Sequence, residues 1–174
     1  MPNTLPRALL FLLGFALALY LLGPLVHPRP ARGDEPLPGA PLAQLEARLH
    51  DAVNRTRADH HRLPLQRVAA LDRAARAHSD DMAARRFLAH ENPEGLNPVD
   101  RIARAGVDGF SLAGENVGMT SRGDPNQEIL GGWLVSPVHR DNLLAPAFNA
   151  TGLGVARSAD GALYYTQVYV TFPR

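Results

Sequence analysis

GLGVARSADGALYYTQVYVT, residues 152–171, decides the fold class. Two β-rich segments, Gly152–Arg157 and Ala162–Thr171, flank Ser158-Ala159-Asp160-Gly161, a small polar stretch ending in glycine that reads as a hairpin turn. The tyrosines Tyr164, Tyr165 and Tyr169 fall on both sides of the second segment, so at least one is expected to pack against a helix. A further short strand is read at Asn116–Met119, after Gly114-Glu115.

Upstream of these strands the periodicity changes to that of helices. Leu42, Leu45, Leu49 and Val53 recur at helical spacing with Glu46, Arg48 and Asp51 off the stripe, which predicts a helix to about Asp59. His60, His61, Leu63 and Pro64 read as a connector, and Leu71, Ala75, His78 and Met82 mark a second helix over Val68–Arg86. Asn97-Pro98 is a helix start with Gly106 as its stop. Asp124-Pro125 repeats the start for a helix carrying Ile129, Leu130, Trp133 and Leu134, and Ser136-Pro137 repeats it for a short turn through Leu143 or Leu144. Helices lead and strands close the chain, with no βαβ alternation. The expectation is α+β, a small antiparallel sheet covered by helices.

The whole chain of 174 residues suffices for one domain with a core of its own. A formal net charge of +1 with scattered charges argues against nucleic acid as a partner. The absence of cysteine excludes disulfides, thiolate metal sites, a cysteine nucleophile and lipid attachment at cysteine. After a short flank, residues 1–7, Ala8–Val26 carries no charged side chain over nineteen residues. As a helix it spans roughly 28 Å, the thickness of a bilayer core. It is read as a signal anchor through which the chain meets a membrane, or as a signal peptide. The anchor fits its length better, because the Ala-x-Ala at Ala16–Ala18 lies inside the apolar run. His27–Pro41 holds five prolines without periodicity and reads as an extended linker, leaving the folded domain at 42–174.

Five stretches taken in order resemble one family. Asn54-Arg55-Thr56-Arg57 fits its opening motif, and HSDDMAARRFLAHENPEGLNPVDRIARAG (78–106) its central signature. GENVG (114–118) matches its Glu-Asn motif and WLVSPVHRDNLL (133–144) its Trp-x-x-Ser-Pro-x-His-Arg-x-Asn motif. TGLGVA (151–156) followed by YYTQVYV (164–170) matches its closing strands. The chain thus resembles the bacterial SCP-domain branch of the CAP (SCP-like) superfamily, which also holds animal cysteine-rich secretory proteins, insect venom antigens and plant pathogenesis-related proteins. The resemblance covers about 130 residues. It implies a three-layer α-β-α sandwich and an extracytoplasmic location, membrane-anchored or secreted.

The resemblance also implies a cleft beside the sheet. There the family commonly places two histidines and two acidic residues. These map onto His90, Glu115 and His139, with Ser136 where the second acidic residue is expected. Two neutral imidazoles and a carboxylate can hold Zn²⁺ or another divalent ion through His90 and His139, with Glu115 as third ligand or as orienting partner. The same residues can instead form a hydrogen-bonded polar cleft without an ion. Ser136 before Pro137 reads as an N-cap rather than a nucleophile. Glu115 is the candidate base if metal-activated water reacts. His78 is read as a core histidine. His50, His60 and His61 lie at a helix end and make a poor chelate, Trp133 and Met82 are read as core, and Asp80-Asp81 as mostly solvated. Arg140 and Asn142 are expected to tie the segment after His139 to that of Glu115. Three functions follow: an envelope or extracellular binding module for a lipid, cell-wall fragment, peptide or ion; a metal-dependent hydrolase of envelope peptides or glycans; or a structural protein without a reaction.

Overall fold

The structure, a computed structural model, describes residues 41–173. The expected membrane segment 8–26, the flank before it and the linker up to residue 40 lie outside the described residues. Among the described residues no helix is long and apolar enough to cross a membrane.

In chain order the elements are α1 (Leu42–Asp59), β1 (Gln66–Arg67), α2 (Ala69–Arg85), α3 (Pro98–Arg104), β2 (Leu112–Thr120), α4 (Pro125–Val135), α5 (Pro137–Leu144), β3 (Ala150–Arg157) and β4 (Leu163–Thr171). The start signals act as read for two helices. The Asn97 side chain accepts from the Val99 and Asp100 amides while Asp100 accepts from that of Asn97, a reciprocal cap. Asp124 accepts from the Gln127 amide. Gly106, at φ +80°, closes α3 as only glycine does without cost. Ser136 occupies the cap position of α5, but its side chain makes no capping hydrogen bond, which corrects the role expected of its hydroxyl.

The sheet order is β1-β3-β4-β2. β4 pairs antiparallel with both neighbours, Gly154 opposite Thr166 and Glu115 opposite Val168, so the hairpin stands as read. β2 extends beyond the four residues expected, because its glycines interrupt the β pattern without ending the strand. β1 was read as connector. It pairs parallel with β3 over two residues and makes the sheet mixed. On one face Leu71 and Ala75 of α2 and Ile102 of α3 pack with Ala150, Val168 and Val170. On the other, Leu45, Leu49 and Val53 of α1 meet Ile129 and Trp133 of α4, Leu143 of α5, and Leu153, Tyr165 and Tyr169. The molecule is therefore α+β, a three-layer α-β-α sandwich.

Side chains close both edges of this sheet. Beyond the short β1, the Leu153 amide donates to Asp72 Oδ1 (2.9 Å) and the Val155 amide to Glu46 Oε1 (3.3 Å). Glu46 was read as lying off the buried stripe, yet it is 1 % exposed. Arg67 and Arg76 neutralise it, and the edge amide uses its remaining capacity, so a carboxylate is tolerated there. At the opposite edge Trp133 Nε1 donates to the Val117 carbonyl (3.0 Å) and Asn142 Nδ2 to the Glu115 carbonyl (3.1 Å). These contacts blunt β2 against pairing with another strand.

Candidate functional site

Glu115 and Asn116 are successive residues of an edge strand, so their side chains leave the sheet on opposite faces. Each reaches one of the two histidines implied by the resemblance. On the α2/α3 side, Glu115 Oε1 lies 2.9 Å from His90 Nδ1, and its Oε2 accepts from Arg101 Nη2 at 2.7 Å. On the α5 side, Asn116 Nδ2 donates to the His139 carbonyl (2.9 Å) and to the Tyr169 hydroxyl (3.1 Å), while its Oδ1 accepts from Asn142. The two rings meet over the strand edge with centroids 6.3 Å apart and planes inclined at 53°. The fold thus brings His90, Glu115 and His139 together from a loop, a strand and a helix.

Arg101 is the residue that the motif reading did not single out. Its guanidinium bonds the Leu96 carbonyl (2.7 Å), the His90 carbonyl (2.9 Å) and Glu115. It therefore fixes both the loop carrying His90 and the carboxylate that ring contacts. The signal lay in the sequence as an arginine one turn into a capped helix, but a helix surface arginine is ordinarily solvated. His78 supports the same loop from α2, bonding the Ala89 carbonyl through Nε2 (2.8 Å). It is 1 % exposed, in keeping with a core histidine. Among the described residues, its Nδ1 and the Arg101 Nε are buried without a hydrogen-bond partner.

Of the remaining residues, Asn142 ties α5 to β2 as expected, whereas Arg140 is exposed and makes no side-chain hydrogen bond among the described residues. Asp81 binds Arg85 and Asn92, and Asp80 is exposed. His50 contacts Asn54 and the Leu65 carbonyl, His60 contacts the Thr56 carbonyl, and His61 is exposed, all on or just after α1. Met82 and Trp133 are core.

Electrostatically the site favours a charged Glu115 and neutral His78 and His139 rings. Burial alone would push the Glu115 carboxyl up. The His90 hydrogen bond, the Arg101 charge and the nearby His78 outweigh it and hold the carboxyl below its usual range. Burial lowers the His78 imidazole, Arg101 adding to this against Glu115. Burial also lowers His139, with His90 adding to it. Between the ordinary histidine value of about 6.5 and these lowered values, the unfolded chain binds more protons than the folded one, so stability rises with pH there. The histidine contribution is complete above about pH 6.5 and is lost as pH falls through the folded values; that of Glu115 is lost further down. Unfolding free energy measured from pH 7.5 to 5 should fall toward acid, each histidine contributing a slope of up to about 1.4 kcal/mol per pH unit. His78→Gln should flatten the slope, and an unchanged slope in that variant would show that His78 titrates alike in both states.

Zinc sites are built from His, Cys and carboxylate ligands. Such sites use three or four protein ligands. Here both Glu115 oxygens already serve His90 and Arg101, and Ser136 stands at the fourth position. Among the described residues no group of three His, Cys, Asp or Glu is arranged to hold a metal ion.

A three-layer sandwich with two histidine rings meeting over the edge of its sheet agrees with the expectation of a CAP/SCP domain. The model of the CAP family, described as the cysteine-rich secretory protein family, matches residues 50–169, and the chain belongs to that family, although it has no cysteine. Among curated proteins it is similar to the uncharacterized protein YkwD of Bacillus subtilis, 28 % identical over 129 residues, 74 % of this chain and 48 % of that one. It is also similar to the uncharacterized membrane protein YlbC of the same organism, 30 % identical over 125 residues, 72 % of this chain and 34 % of that one. The chain thus spans half or less of the length of these relatives. Among solved structures, an extracellular protein containing a SCP domain from Bacillus anthracis superposes with a TM-score of 0.65 at 31 % identity, over 74 % of this chain and 41 % of that one. An outer surface protein of Borrelia burgdorferi superposes with a TM-score of 0.68 at 17 % identity, over 75 % of this chain and 94 % of that one, a likeness of fold.

Proposed function

We propose that the chain is an extracytoplasmic CAP module that binds an envelope or extracellular ligand in the cleft between His90 and His139. In this reading residues 8–26 bring it to the membrane as an anchor or serve as a signal peptide, 27–41 form the linker, and 42–174 the binding domain. The Bacillus anthracis relative is named an extracellular protein, which supports the location. One observation carries the choice of binding over hydrolysis. Glu115 is buried and both of its oxygens are engaged, by Arg101 and by His90, so the carboxylate is poorly placed to activate water. Side chains already cover the centre of the β2 edge, so recognition falls to the imidazoles and not to the addition of a peptide strand.

The experiment is co-sedimentation of the purified full chain with isolated cell-wall sacculi and, separately, with lipid vesicles. Retention on one of them should drop at least tenfold in the His90→Ala, His139→Ala double variant, with the fold retained by circular dichroism. Equal retention of the folded double variant would remove the cleft from the binding event.

A further inference from the structure

Glu115, His90 and Arg101 together fix something that their positions alone do not: which nitrogen of His90 carries the proton. An ionised carboxylate only accepts hydrogen bonds, and a guanidinium only donates. Arg101 Nη2 occupies Glu115 Oε2, leaving Oε1 for His90 Nδ1 at 2.9 Å, so Nδ1 must be the protonated nitrogen. A neutral imidazole has one N–H, so its Nε2 is then a bare acceptor. Arg101 also holds the His90 backbone through its carbonyl, which keeps the residue beside Glu115.

Across the strand edge, no hydrogen bond among the described residues sets the tautomer of the His139 ring, which is half-buried and favoured in its neutral form by burial. It can therefore donate or accept. The ring centroids are 6.3 Å apart. One oxygen hydrogen-bonded to a nitrogen of each ring at about 2.8 Å can bridge such a gap. That oxygen has to donate to His90 and can accept from His139, which describes a hydroxyl. A carboxylate or phosphate, with acceptors only, would meet the bare His90 nitrogen lone pair to lone pair. The opposite charges of Glu115 and Arg101 are paired, so they supply no net field to attract an anion.

We propose that Arg101 and Glu115 act as positioning residues that hold His90 in its Nδ1–H tautomer, and that the His90–His139 pair thereby receives a hydroxyl group of an uncharged sugar or polyol ligand. This rests on the reading of the cleft as a ligand site and specifies the chemistry it selects.

The test reads the tautomer directly. In the ¹⁵N-labelled full chain at mildly alkaline pH, long-range ¹H–¹⁵N correlation spectra should show His90 protonated at Nδ1 and bare at Nε2. In Glu115→Gln the amide oxygen must turn to Arg101, which cannot accept, so the amide N–H faces His90 Nδ1 and the ring should invert to the Nε2–H form. Adding Arg101→Met should release the amide and give a mixture, an outcome that loss of packing alone would not produce. Methyl α-glucoside should shift the His90 Nε2 resonance of the unsubstituted chain saturably while acetate leaves it in place. In Glu115→Gln acetate should gain a saturable shift. His90 protonated at Nε2 in the unsubstituted chain, or acetate bound in place of glucoside, or neither probe moving the resonance, would overturn the proposal. If the tautomer is reversed while the His90→Ala, His139→Ala variant still loses envelope retention, the binding reading stands and this one alone fails.

Discussion

Gly154→Ala, like Gly152→Ala, is expected to cost about 3 kcal/mol or more of stability and to leave much of the protein unfolded at 37 °C. A Cβ built at Gly154 would sit 2.2 Å from the Arg76 amide nitrogen and 2.3 Å from the Ala75 carbonyl carbon. At Gly152 it would sit 2.1 Å from the Leu71 carbonyl carbon. These are backbone atoms of α2, so no rotamer change relieves the clash, and the helix would have to lift from β3. The two glycines therefore explain the close contact of α2 with the sheet, and with it the depth at which His78 and Ser79 are buried. Denaturant unfolding of the full chain measures the loss. Gly131→Ala serves as a control, since nothing lies within 4 Å of a Cβ there and the helix position favours alanine. A loss below about 1 kcal/mol at Gly154 would mean that α2 sits further from β3 than described.

Arg57→Met should be nearly as damaging. Arg57 is fully buried and donates to four carbonyls, those of Leu63 (2.9 Å), Leu143 (2.7 Å), Ala145 (3.1 Å) and Phe148 (3.3 Å). Two of these lie at the C-terminal end of α5, where helix carbonyls lack intrahelical partners and the helix dipole favours a cation. Burial draws the guanidinium's pKa down, with Tyr169 opposing this and Arg62 adding to it. Methionine fills similar volume but leaves the carbonyls buried without donors, a penalty of about 3–5 kcal/mol. Arg57→Lys should recover only part, since one ammonium cannot reach all four. Because α5 carries His139, the His139 resonances should shift in Arg57→Lys even where the fold survives. Unaltered stability in Arg57→Met would contradict the role assigned to the guanidinium.

What could be read from the sequence follows from how local the governing physics is. Asn97, Asp124 and Gly106 act within one turn of themselves, so their helix ends were legible. The hairpin around Asp160-Gly161 was legible for the same reason. β1 was not, because two residues that pair parallel with β3 carry no pattern of their own. Glu46 and Arg57 were misjudged or passed over because their burial depends on partners far along the chain: Arg76 and Val155 for one, Phe148 for the other. The cleft shows both sides. His90, Glu115 and His139 were grouped only through the family resemblance, since nothing local links residues so far apart. Arg101, which holds two of the cleft's groups in place, emerged only when the topology set α3 beside β2.

Ligand held between His90 and His139 would shield both rings, and site-resolved carbethoxylation of histidine tests this most directly. The full chain is treated with diethylpyrocarbonate in the presence and absence of the envelope fraction that retains it, and each histidine is followed by peptide mass spectrometry. His60 and His61 are exposed at the end of α1, so they report the reagent's activity. The envelope fraction should slow modification of His90 and His139 at least fivefold while His60 and His61 react at an unchanged rate. Equal modification of His90 and His139 with and without that fraction would contradict binding between them.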